Sequence, residues 1–75
     1  MKRDLVEVLN KIIVLVPEEH KILEPLKSVR ESAMYCAPEA MWDWWQVGTR
    51  ILKNGIGEPG ADWEIKVANI WNGTT

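Results

Sequence analysis

Hydrophobic residues recur at helical spacing through most of this chain. In residues 4–16, Leu5, Val6, Val8, Leu9, Ile12, Ile13, Leu15 and Val16 cover about half of a helix circumference. Asp4 is placed to cap this helix, and Glu7 three residues later gives a D-x-x-E variant of the capping box. An apolar arc that wide calls for more than one partner helix. β-Branched residues dominate 12–16, which makes a strand there the alternative, but the upstream 3.6-residue period favours a helix.

Val16-Pro17 stops that helix, because a residue before proline avoids the α region. Pro17-Glu18-Glu19 opens a second one with acids at the positive end of its dipole. The pattern carries it over 17–36, with Ile22, Leu26, Val29, Ala33 and Cys36 on one narrow arc. Pro25 removes the bond to the carbonyl of Lys21, so a kink or break is expected near Glu24. Leu23 and Met34 flank Arg30 as a weaker second stripe.

The third helix is predicted over 38–54, with Pro38 at its first position and Asn54-Gly55 as a left-handed stop. Met41, Trp44, Trp45, Gly48, Ile51 and Leu52 fall on an arc roughly 120° wide, with Asp43, Gln46, Arg50, Lys53 and Asn54 opposite. Trp42, beside Thr49, lies on the border. A buried indole removes on the order of 200 Å² from water, so the rest of the chain is expected to fold around this helix. Residues 56–60, Ile-Gly-Glu-Pro-Gly, read as a loop. Asp62 caps a last helix over 62–72, on which Trp63, Val67, Ile70 and Trp71 share a face and which Asn72-Gly73 closes. The prediction is a single all-α domain over 1–75, a compact four-helix bundle with a Pro-kinked second helix.

Composition narrows what holds such a fold together. A chain of 75 residues buries only about 60% of its unfolded surface, and small folds then lean on disulfides, metals or oligomerisation. Cys36 is the lone cysteine, which excludes an internal disulfide, and with the single His20 it is too little for a zinc site. Oligomerisation is the device left. Nine basic and eleven acidic residues give a net charge of −2 without long runs, which lacks the basic stripe that nucleic acid asks for. The longest apolar run, 12–16, is too short to span a bilayer. Lys2 and Arg3 precede it as in a signal peptide, but Asp4, Glu7, Asn10 and Lys11 interrupt it and no cleavage site follows. A cytoplasmic location is expected.

Candidate chemistry is sparse. His20 and Glu24, four residues apart, could hold a metal or relay a proton, but they lie off the apolar arc, so His20 reads as a surface residue. Cys36 sits on a buried arc near Glu31 and Glu39, which disfavour a thiolate, and reads as a small core residue. Asn72-Gly73-Thr74 matches a glycosylation triplet but reads as a helix stop. The glycines of 55–60 lack the Lys-Ser/Thr of a phosphate cradle. No catalytic, cofactor-binding or metal-ligating residue is predicted, and no enzymatic activity. The corner at Ala37-Pro38 suggests a helix-turn-helix, yet Glu39 and Asp43 at the start of its recognition helix would repel phosphates.

The aromatic surplus points to contact instead. Five tryptophans stand beside no phenylalanine, and tryptophan is enriched at binding hot spots. Trp42, Val6, Ile13, Leu23, Met34 and Tyr35 are the candidate interface residues, with Val14 as a weaker addition. The leading expectation is a non-enzymatic interaction module that binds an unidentified protein and forms a homodimer, in the manner of a phage-type or mobile-element accessory regulator or inhibitor. The alternatives are a helix-turn-helix transcription regulator and a small-ligand carrier with a Trp-lined pocket.

Overall fold

Asp4 fixes the start of the first helix by accepting a hydrogen bond at Oδ1 from the N–H of Val6 at 2.9 Å. A computed structural model describes residues 4–73. They form α1 (Leu5–Ile13), α2 (Leu23–Tyr35), a 3-10 turn (Pro38–Ala40), α3 (Met41–Gly55) and α4 (Asp62–Asn72). No strand occurs among the described residues. The basic pair Lys2-Arg3 and Thr74 lie outside them.

Every buried position of α1 belongs to its predicted apolar arc: Leu5, Val8, Leu9, Ile12 and Ile13. Glu7 pairs with Lys11 one turn on, at 3.8 Å on the exposed face. The helix ends three residues short of Val16. Leu15 and Val16 donate to the carbonyls of Ile12 and Ile13, three residues back, so the last turn tightens as the chain approaches Pro17. The strand alternative for 12–16 is thereby replaced by helix and turn.

Residues 17–22 depart from the expected second helix. His20 donates its N–H to the carbonyl of Pro17 and Leu23 donates to that of His20, which makes two tight turns. The imidazole Nδ1 of His20 accepts the N–H of Ile22 at 3.2 Å, in place of a cap from Ile22 itself. α2 therefore starts at Leu23, and Pro25 falls in its first turn. There the missing N–H would have had no helical partner, so the proline opens the helix and does not interrupt its middle. Leu23, Leu26, Val29 and Ala33 form the buried face of α2. Arg30 reaches across to Asn10 of α1 at 3.2 Å.

Cys36 ends α2 in an extended conformation, half-buried, with its thiol donating to the Ala33 carbonyl. The turn at Pro38–Ala40 leads directly into α3. The expected left-handed stop at Gly55 is displaced: Gly55 is the last helical residue, and Gly57 takes the positive φ of 67°. Gly55 serves a close approach instead, since a Cβ there would collide with Cγ2 of Ile22. α4 stops on Gly73 in the left-handed region, as read from Asn72-Gly73. Its start is held by Glu64. The carboxylate accepts the N–H groups of Gly60 and Ala61, both at 2.9 Å, and Asp62 becomes the first helical residue, not the cap.

The core is centred on α1, not on the tryptophan helix. Leu5, Leu9, Ile12, Leu26 and Val67 are fully enclosed, whereas α3 buries only Gly48 and Leu52. Trp44 and Trp45 lie half-buried against that core. Slim aliphatic chains can be surrounded completely in a domain of this size, and an indole seldom can. α1 packs on both α2 and α4, which answers its wide arc, and α3 packs on α2. The Cα radius of gyration, 11.7 Å, is close to the ~11 Å expected for a compact chain of this length. No helix among the described residues is long and apolar enough to cross a membrane.

Candidate functional site

The outer side of α3 carries the feature that the core does not absorb. Trp42, the second residue of α3, is 67% exposed, while Trp44 and Trp45 lean inward. An open groove of about 890 Å³ runs beside it, lined by Glu39, Met41, Trp42, Trp45, Thr49 and Trp71 among others. A second groove lies on the other flank of Trp42, between that residue and Arg50, Lys53 and Asn54. Trp42, Gln46 and Thr49 line both grooves, so they form the ridge between them.

The floor of the first groove is built across two helices. Trp71 of α4 meets Trp45 of α3 with ring centroids 4.8 Å apart, planes inclined by 56°. Its indole N–H donates to Oγ1 of Thr49 at 3.1 Å, and that hydroxyl donates to the carbonyl of Trp45 at 2.9 Å. Gly48 makes room for the Trp71 ring. Two of the groove's polar groups are thus turned toward each other, and Glu39, Gln46 and Asn72 supply the rest of its polar lining. Thr49 and Trp71 were outside the expected site residues. A helical wheel puts Thr49 beside Trp42, but nothing in the local pattern couples it to a residue 22 positions away.

The expected interface residues differ in burial and in place. Ile13 (9% exposed) and Leu23 (7%) are buried in the chain's own core, and no part of an outer face. Val6 is half-buried against it. Met34 and Tyr35 are exposed at the end of α2, and Val14 at the end of α1, yet none of the three lines either groove. Trp42 alone is both exposed and placed at a groove. The division follows from helix α2 starting late and from α1 being enclosed on two sides.

His20 differs from the solvated residue that its neighbours suggest. It is half-buried, with its ring edge-on to Trp63 at 5.0 Å between centroids. Its Nδ1 is engaged by Ile22, so the nitrogen serves the turn before α2. Glu24 is exposed, and no group of three or more His, Cys, Asp or Glu side chains able to hold a metal occurs among the described residues. The N–H groups of Ala61 and Gly60 hold the Glu64 carboxyl below the usual carboxylate range; burial opposes them and the nearby His20 adds a little. Both groups act on helix starts.

Compared with protein-family models, curated proteins and solved structures, the chain matches none of them.

Proposed function

We propose that this chain is a small non-enzymatic protein–protein interaction module, a cytoplasmic helical bundle that docks a protein partner through the Trp42 ridge of α3. One observation carries the reading: a tryptophan two-thirds exposed beside a groove whose floor is two further indoles. Tryptophan is enriched among binding hot spots, the few interface residues whose truncation costs about 2 kcal/mol or more. The groove suits an apolar or cationic side chain, since three indoles and Met41 line it and Glu39 is its one charged residue. Glu39, in the turn that leads into α3, and Asp43, in the first turn of α3, are both exposed, which disfavours the helix-turn-helix alternative. A phage-type regulator or inhibitor, acting by occupying a surface, fits this reading.

The test is affinity capture from an extract of the source cells with the wild-type chain and with Trp42→Ala, both checked for helicity by circular dichroism. A partner retained by the wild type and lost with Trp42→Ala supports the reading. Identical capture by the two removes Trp42 from the site. A salt titration separates the nucleic-acid alternative, since phosphate contacts weaken steeply with salt and apolar ones do not.

A further inference from the structure

The two grooves beside Trp42 carry opposite charge. Glu39 is the charged residue lining the first; Arg50 and Lys53 line the second, which has no acid. Glu39, Trp42, Asp43, Gln46, Thr49, Arg50 and Lys53 are all exposed. At about 100° per residue the six from Trp42 to Lys53 fall within a stripe of α3 roughly 120° wide centred on Gln46, and Glu39, in the 3-10 turn that leads into the helix, continues it at the N-terminal end. Acids lie on the N-terminal side of Gln46 and bases on the C-terminal side. The stripe is thus its own complement when reversed end to end.

We propose that this stripe is a homodimer face, in which α3 packs antiparallel against α3 of a second copy about a two-fold axis at Gln46. The proposal rests on the docking reading of the same ridge and names its occupant. Glu39, seven residues before Gln46, then stands opposite the partner's Lys53. Trp42, four before it, stands opposite the partner's Arg50, a guanidinium over an indole face. The two-fold makes each pairing occur twice. A parallel arrangement would set acids against acids and bases against bases, so charge alone selects the antiparallel one. One helical stripe is smaller than a standard interface, and the dissociation constant is expected on the order of 10–100 µM.

Sedimentation equilibrium of the full chain up to roughly 1 mM tests it, with circular dichroism as the folding control. Glu39→Lys and Lys53→Glu are each expected to weaken self-association by ~5–10-fold, because attraction becomes repulsion at two symmetric places. The double variant restores the pairing with its sign exchanged and returns the affinity to near the wild-type value. In a Cys36→Ser background, Gln46→Cys is expected to cross-link to its own copy as a disulfide. Arg50→Cys is not, since its twin lies ~12 Å away along the helix axis. A dimer indifferent to the single reversals, or not rescued by the double one, or cross-linked as readily at residue 50 as at 46, uses another face. That overturns the inference and leaves the Trp42 docking reading standing. A chain monomeric throughout the range also overturns it, and the Trp42→Ala capture experiment then decides the docking reading by itself.

Discussion

Trp71 lies against Gly48: a Cβ added to that glycine would stand 2.5 Å from Cη2 of the ring and 3.0 Å from Cζ2. The close approach joins α4 to α3 and sets the depth of the groove beside Trp42. Gly48→Ala therefore puts two effects in competition. Alanine favours the helix by roughly 0.5–1 kcal/mol over glycine. Overpacking a filled contact costs roughly 1–3 kcal/mol, and here the obstacle is a rigid ring already fixed by Trp45 and Thr49. The clash wins. Gly48→Ala is expected to lower the melting temperature and shift the tryptophan emission; a variant more stable than the wild type would show that the ring moves aside freely.

Thr49 links the same two helices through its hydroxyl. Thr49→Val keeps the shape but leaves the Trp71 N–H without this acceptor, for a loss of about 1 kcal/mol at a half-buried site. Thr49→Ser keeps the acceptor and should recover most of that loss. Denaturant titrations of the two variants check it, and equal stabilities would mean that the hydroxyl contributes little.

Leu9 and Trp42 invert the ranking that side-chain size suggests. Leu9 is fully enclosed at the centre of α1, and Leu9→Ala is expected to cost ~2–5 kcal/mol. For a domain this small, whose whole stability is on the order of 4–11 kcal/mol, that is a large share. Trp42→Ala removes a larger side chain, yet one that is mostly in water, and should change stability by no more than about 0.5 kcal/mol. Urea unfolding midpoints of both variants test the order.

Local periodicity made the helices legible because each buried face repeats within a few residues. Leu5, Leu9 and Ile12 in α1, and Val67 and Trp71 in α4, lie on the faces that the spacing marks. The termini were harder, since a given residue type can serve several ends. Pro25 reads as a kink inside a helix over 17–36, and the turns at His20 place it in a first turn instead, through an imidazole nitrogen that no spacing rule weighs. Asn54-Gly55 reads as the left-handed stop, but the Ile22 side chain, far away in sequence, claims Gly55 and the positive φ falls on Gly57. Trp42 was legible as the odd tryptophan. The groove beside it was not, because Gly48, Thr49 and Trp71 come together only when α4 folds back on α3.

The start of α4 depends on pH through Glu64. Its carboxylate accepts the N–H groups of Ala61 and Gly60, which holds its ionisation below the ordinary value of 4.5. A carboxyl whose folded pKa is depressed releases its proton more readily in the folded state than in the unfolded one. Its contribution to stability is fully present above about pH 4.5 and is lost as pH falls through the lower folded value. Glu64→Gln keeps an oxygen acceptor but cannot titrate. The wild type should therefore be the more stable at neutral pH, and the difference should shrink on acidification through that window. Thermal melts of both chains from pH 7 down to about pH 3 measure the gap. A gap that stays constant over the whole range would mean that the carboxylate charge does not hold this helix start.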